Sequence, residues 1–143
     1  MKTKKRVGLL VALLLLATIF PLAVTNEVSA KTTYKQIIVA KLKGNTLSYH
    51  KAVNNIDIME DPQWENIVGY GKKKKITVSK NAKFYLLNTD TMKPYKVSKK
   101  KFLKNLSKYG KSKEQGVTYY SGTYCKMTIK NGKCVKLVQK YQA

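Results

Sequence analysis

Apolar and polar residues alternate along several short stretches of this chain, which is the pattern of β-strands with one buried face. The first pair of such stretches flanks the Gly-Asn dipeptide at residues 44–45, which suits a two-residue hairpin turn. Counting outward from the turn sets Leu42 against Leu47. Two positions further along, Ala40 faces Tyr49, so apolar residues meet apolar residues and the register is self-consistent.

A second hairpin is predicted near the C-terminus. Its first strand alternates, with Cys125, Met127 and Ile129 on one face. The Asn-Gly dipeptide at residues 131–132 then turns the chain, and a returning strand begins at Cys134. This hairpin is the clearest local pattern in the sequence.

One helix is predicted, over residues 98–109. Ser98 is suited to cap its first turn because a serine hydroxyl accepts a hydrogen bond from a free backbone N–H, and Gly110 is suited to end it. One face of this helix is apolar, and it consists of Phe102, Leu103, Leu106 and Tyr109. We expect that face to pack against a sheet.

A third strand region covers residues 76–87, with a bend or bulge at residues 79–81, and it follows a long irregular segment at residues 54–75. The resulting order of strand, strand, strand, helix, strand, strand is that of the OB-fold. The predicted fold is mainly β, a small five-stranded OB-like barrel with one amphipathic helix between strands 3 and 4, forming a single domain over residues 31–143. Other small barrels, including SH3-like ones, stay open as alternatives.

Three segments carry a resemblance to a known group of proteins. They are the first hairpin at residues 43–48, the helix start at residues 97–103 and the final hairpin at residues 127–137. In these segments the chain resembles the small uncharacterised secreted β-barrel proteins of clostridia-type Gram-positive bacteria. The resemblance implies a secreted OB-like barrel, and it brings no established activity.

The first thirty residues differ in kind from the rest. A basic start is followed by an apolar stretch at residues 7–20 and by the small residues Val28, Ser29 and Ala30, which suit a cleavage site. Residues 1–30 are therefore predicted to be a signal peptide, with a retained membrane anchor as the alternative. The protein is expected to be secreted or associated with the cell surface, without a stable transmembrane segment after cleavage, and to be a monomer.

The net charge of the chain is +22, and it stays near +19 over the 113 residues that follow the predicted signal. All 25 basic residues of that part are lysines. Because lysine is a hydrated point charge and lacks the bidentate fork of arginine, this composition favours diffuse attraction to a polyanion over specific readout. The alternative is that an AT-rich genome encodes lysine wherever a positive charge is needed.

The lysines are most concentrated in two places. We interpret these two groups, with the neighbouring Tyr95 and the N-cap Ser98, as the candidate polyanion-binding residues: Lys72, Lys73, Lys74, Lys75, Tyr95, Ser98, Lys99, Lys100 and Lys101. The alternative is a solvated basic face whose field is screened by salt.

The sequence offers little for catalysis. His50 is the only histidine, alternation places it away from the core, and we expect it to be exposed, so neither a catalytic triad nor a histidine-rich metal site is predicted. The loop acids Asp57, Glu60, Asp61 and Glu65 are expected to neutralise nearby lysines, with a calcium site as the lesser alternative. No catalytic residue, metal or cofactor is assigned.

The cysteines could form a disulfide outside the membrane, but strand geometry opposes it. With Cys134 opposite Ile129, Cys125 lies about 13 Å further along the strand, which is beyond bridging distance. A one-residue bulge would place the two thiols on opposite faces. Free, partly buried thiols are therefore expected, and a rearranged hairpin or an intermolecular bond are the alternatives.

Three function hypotheses follow. The first is a non-enzymatic module that associates electrostatically with anionic cell-wall or membrane-surface polymers. The second is an OB-fold that binds single-stranded nucleic acid or oligosaccharide, with bases stacked on tyrosine. The third is a small secreted enzyme or a cationic toxin, for which the sequence shows no motif.

Overall fold

The computed structural model describes residues 31–142, so the predicted signal peptide at residues 1–30 lies outside the described part of the chain. Within it the fold is mainly β, as predicted, but eight strands are present where the sequence predicted five. They are β1 (Thr32–Lys43), β2 (Thr46–Asn54), β3 (Ile67–Asn88), β4 (Lys93–Val97), β5 (Gly110–Glu114), β6 (Val117–Ser121), β7 (Thr123–Lys130) and β8 (Lys133–Gln139). A short helix, α1 (Lys99–Lys104), and a 3₁₀ turn at Asn55–Asp57 complete the described elements.

Five of the strands form a closed ring. The hydrogen-bonded order is β2, β1, β7, β8, β3, and β3 pairs again with β2. The length of β3 makes this closure possible, because its first half pairs antiparallel with β2 and its second half pairs parallel with β8. The pairing with β8 shifts register between Val78 and Lys83, in the region where the sequence predicts a bend or bulge.

The three remaining strands lie beside the ring. β4 extends β3, with Phe84 opposite Val97. β5 and β6 form a hairpin that joins the sheet through the pair Gly69 and Tyr120. The sequence assigned no regular structure to this hairpin, because its residues are polar and charged and show only weak alternation.

The ring encloses the main core, which contains Ile37, Val39, Tyr49 and Phe102 among its buried residues. Both cysteines also lie there, completely buried and free of a disulfide. They were expected to be only partly buried. Burial of such apolar surface provides most of the favourable free energy of folding.

The first hairpin turns at Gly44 and Asn45 as predicted, and Leu42 faces Leu47. The pairing predicted for Ala40 is wrong. Val39 faces Tyr49 instead, because Ala40 is an extra residue where the register shifts.

The last hairpin also turns as predicted, with positive φ at Asn131 and Gly132, and Cys134 faces Ile129. A register shift between Thr128 and Ile129 makes the returning strand bulge. The bulge was expected to send the two thiols to opposite faces, but Cys125 and Cys134 both reach the core. The extra residue is Val135, which lies beyond Cys134, so Cys134 stays opposite Ile129 and on the same face as Cys125.

The helix is shorter than predicted. Ser98 caps it, and its Oγ accepts a hydrogen bond of 3.1 Å from the N–H of Lys101. However, α1 ends at Lys104, Tyr109 lies beyond it, and Gly110 begins β5 rather than ending a helix. The predicted irregular segment at residues 54–75 is also partly wrong, because β3 already begins at Ile67.

Candidate functional site

The lysine run at residues 72–75 is exposed, but it does not form one patch. Lys74 pairs with Tyr49, a core residue, so Lys74 lies on the inner face of the ring. Lys75 pairs with Ser48 and therefore lies on the outer face. Lys73 also lies outside, with its ammonium 5.5 Å from the centre of the Tyr109 ring. Strand alternation thus divides a run that is continuous in sequence.

The second predicted group lies around the start of α1. The Lys99 ammonium donates hydrogen bonds to the carbonyl oxygen of Gly44, at 2.5 Å, and to Oδ1 of Asn45, at 3.2 Å, so it holds the first hairpin. The Lys101 ammonium lies 5.7 Å from the centre of the Tyr95 ring. The structure therefore brings Tyr95 and Lys101 together.

Two members of this second group have other roles or surroundings. The Ser98 hydroxyl oxygen accepts the hydrogen bond from the N–H of Lys101, so one of the free N–H groups at the start of α1 already has a partner within the protein. Lys100 is exposed on the first turn of the helix. The lysines at residues 72–75 lie on β3, so the nine predicted residues come from two separate parts of the fold.

The inner face reveals lysines that the sequence analysis missed. Lys51 lies directly opposite the core residue Ile37, and Lys35 precedes Ile37 by two positions on the same strand. Together with Lys74, they line a surface cavity of about 310 Å³ between β1, β2 and β3. We call Lys35, Lys51 and Lys74 the mouth lysines and this space the mouth cavity. Only the strand register could have grouped them, since they are far apart in sequence.

The prediction that His50 is exposed is wrong, because only 1% of its surface is accessible. Its Nδ1 donates a hydrogen bond of 2.9 Å to the carbonyl oxygen of Gly71, and its Nε2 lies 2.7 Å from the hydroxyl of Tyr109. The ring of Tyr120 stacks on the imidazole, with the ring centroids 3.7 Å apart. Burial lowers the pKa of His50, and nearby Lys73 lowers it further, whereas the hydrogen bond to Gly71 opposes this effect.

Alternation did predict the direction in which His50 points, since it is not part of the core inside the ring. The error arose because the β5–β6 hairpin and the chain before it cover the outer face. Close packing there needs glycine: a Cβ atom at Gly69 would lie 3.0 Å from Cβ of His50, and one at Gly122 would lie 2.6 Å from the carbonyl oxygen of Val39. The alternation of residues within one strand cannot predict that another part of the chain will cover its outer face.

The acidic loop was predicted to neutralise nearby lysines. In the structure, Glu65 and Asp61 form hydrogen bonds with the side-chain amides of Asn54 and Gln115. Oε2 of Glu65 accepts a hydrogen bond of 2.8 Å from the side-chain amide of Asn54. The backbone of Asp61 forms two hydrogen bonds with the side chain of Gln115, at the tip of the β5–β6 hairpin. Within residues 31–142, no three His, Cys, Asp or Glu side chains gather in a way that could hold a metal ion.

The chain was compared with protein-family models, curated proteins and solved structures. No family model, curated protein or solved structure matches this chain. In the described part of the chain, no helix has both the length and the apolar character needed to cross a membrane.

Proposed function

We propose that the protein is a secreted, strongly basic and non-enzymatic binding module that associates with anionic polymers of the cell wall or membrane surface. The attraction is electrostatic and comes from many lysines acting together. The proposal includes a monomeric protein released by cleavage after residue 30. It also includes kinship with the secreted β-barrel proteins of clostridia-type bacteria that the hairpin and helix segments resemble.

The observation that carries this proposal is the distribution of the lysines over separate surfaces. Lys73 and Lys75 are exposed outside the ring, Lys74 is exposed on the inner side, and Lys100 and Lys101 are exposed on α1. A flexible polyanion can contact several such surfaces at once and release its condensed counterions, whereas a small rigid ligand would contact one of them. The absence of arginine from the described chain also favours charge attraction over bidentate recognition.

The fold in this proposal is an OB-like barrel. Three features support it: five strands close the ring, the long third ring strand pairs with two others, and α1 lies in the chain before the fourth ring strand, β7. OB-folds usually bind nucleic acids on the face of strands two and three. Here Tyr109 and Tyr120 cover His50 on that face, so these rings are engaged within the protein. This favours the polymer over stacked bases.

The salt dependence of binding tests the proposal. Titration with poly(glycerol phosphate) should give an association constant whose logarithm falls linearly with the logarithm of salt concentration, because counterion release dominates. A variant with glutamine at all seven predicted lysines should show a shallower slope: Lys72, Lys73, Lys74, Lys75, Lys99, Lys100 and Lys101. Arginine at the same seven positions is the matched control, since it keeps the charge and should keep the slope.

Two outcomes would contradict the proposal. Binding that does not change with salt would indicate a specific site rather than a diffuse field. Tighter binding to single-stranded oligonucleotides than to poly(glycerol phosphate), at equal phosphate concentration, would favour the nucleic-acid alternative instead.

A further inference from the structure

We propose that the mouth cavity binds a small amphiphilic carboxylate, with the carboxylate between the mouth lysines and a short apolar body against the floor of the cavity. This is a stoichiometric site that shares only Lys74 with the lysines proposed above for polymer binding, and it does not depend on that binding. It is defined by the strand register, which brings together three lysines from three strands.

Strand pairing fixes the mouth lysines on one face. Lys51 is directly opposite Ile37 across β1 and β2, and Lys74 is directly opposite Tyr49 across β2 and β3. Residues directly opposite one another in an antiparallel pair project to the same side of the sheet. Lys35 also shares that side, because it lies two positions before Ile37 and alternation repeats every two residues. All three side chains therefore surround the point where the inner face meets solvent.

The floor of the mouth cavity is apolar. Ile37 is completely buried and Tyr49 is 5% exposed, and both line the cavity. The methylene stems of the lysines add further apolar wall below their ammonium groups, since long basic side chains keep the charge in water and the stem against the protein. A ligand that matches this surface has an apolar body below and a negative charge above.

Charge in the cavity is unbalanced. Its lining contains three lysines and no carboxylate. Lys51 has an additional neighbour in the Tyr70 ring, whose centre lies 5.8 Å from the ammonium, but an aromatic ring does not cancel a full charge. Like charges held near one another repel, and an anion between them relieves that repulsion. Charge complementarity therefore selects an anionic head group.

The size of the cavity limits the ligand. A volume of about 310 Å³ lies at the lower end of the range for small-molecule sites. It suits a single short chain with one head group rather than a two-chain lipid. Octanoate has these properties. Octanamide has the same chain without the charge, and acetate has the charge without the chain, so the three compounds separate the two contributions.

Calorimetric titration of the protein, at one low salt concentration, tests this site. Octanoate should bind in a 1:1 ratio, and octanamide and acetate should each bind at least about tenfold more weakly. The variant K35Q/K51Q/K74Q should lose at least about tenfold in octanoate affinity. The matched control K75Q/K108Q/K133Q removes the same charge from exposed lysines outside the mouth cavity, and it should bind octanoate within about twofold of the unaltered protein.

The outcomes separate this inference from the proposed function. Equal losses in the two triple variants, or equal binding of acetate and octanoate, would overturn the mouth site. The affinity for poly(glycerol phosphate) should instead fall by the same factor in both triple variants, because the two have the same net charge. A thermal melt of each variant shows whether it is folded, and single K51Q and K74Q substitutions provide the same test if the triple variant unfolds.

Discussion

The hydroxyl of Tyr109 donates a hydrogen bond of 2.7 Å to Nε2 of His50, which lies 59 positions earlier in the chain. The direction follows from the other ring nitrogen: the carbonyl oxygen of Gly71 can only accept, so Nδ1 carries the imidazole proton. Burial lowers the pKa of His50, so the imidazole is neutral at pH 7.5 and its Nε2 accepts. The contact links the ring strand β2 to the chain just before β5.

The burial of His50 predicts that the stability of the fold depends on pH. The pKa of His50 is lowered in the folded protein relative to its ordinary value of 6.5, so near and below that value the unfolded chain binds more protons than the folded one. The contribution of His50 is thus complete above pH 6.5 and decreases as the pH falls through that value towards the folded pKa. Urea unfolding should show a lower free energy of unfolding at pH 5.5 than at pH 7.5.

The change can be assigned because the chain contains one histidine. The variant His50→Gln should be less stable at pH 7.5 but should show a much smaller difference between the two pH values. An unaltered difference in this variant would show that other groups cause the effect.

Removing the phenol hydroxyl should also destabilise the fold. In Tyr109→Phe, Nε2 of His50 loses its donor while it stays buried, which we expect to cost about 1–3 kcal/mol in the free energy of unfolding. Tyr34→Phe is the matched control, because Tyr34 is 60% exposed. Urea unfolding at pH 7.5 compares the two variants, and equal stabilities would argue against the buried hydrogen bond.

The two hairpin turns and the cap at Ser98 could be predicted from sequence because each depends on residues within a few positions. Asn131 and Gly132 adopt the positive φ that their turn requires, and the side chain of Ser98 reaches an N–H only three residues away. The cover over His50 could not be predicted in this way. It depends on Tyr109 and Tyr120, whose contacts with His50 are made through the tertiary fold.

The candidate binding residues show the same limit. A run of lysines such as residues 72–75 can be read from sequence, but the side of the sheet on which each lysine lies depends on strand register and bulges. The grouping of Lys35 with Lys51 and Lys74 depends entirely on that register. Local sequence patterns thus identified the charge, and the pairing of distant strands determined its arrangement.

Close packing at Gly122 predicts a large effect of a small substitution. In Gly122→Ala the new methyl group would lie 2.6 Å from the carbonyl oxygen of Val39, which belongs to the backbone of β1 and cannot rotate away. We expect a loss of about 1–3 kcal/mol in the free energy of unfolding.

Gly110→Ala is the matched control for this substitution. Its methyl group would meet only the movable hydroxyl of Ser121, at 3.2 Å, so its effect should stay within about 0.5 kcal/mol. Thermal and urea unfolding measure both variants. If Gly122→Ala were as stable as the control, the backbone at residue 122 could move away from Val39 at little cost, and the packing argument would be wrong.

The two cysteines should be unreactive in the folded protein. Burial raises the pKa of Cys134 to about 11 and raises that of Cys125 further, with Cys134 adding to the effect on Cys125. Because the thiolate is the nucleophile, iodoacetamide should label neither thiol at pH 7.5 in the native state and both in urea. Mass spectrometry under partly unfolding conditions should find Cys134 labelled first. Rapid native labelling would contradict the buried arrangement.

The long strand β3 also affects the order in which the protein can assemble. Its second half pairs with β8, and β1 pairs with β7. The ring therefore lacks β7 and β8 until almost all of the described chain has been synthesised. Contacts of such wide sequence separation form slowly. We therefore expect a nascent chain emerging from the ribosome to have no closed core. If the chain is secreted as proposed above, an export channel would receive it in this unfolded state, and the last hairpin would complete the fold after export.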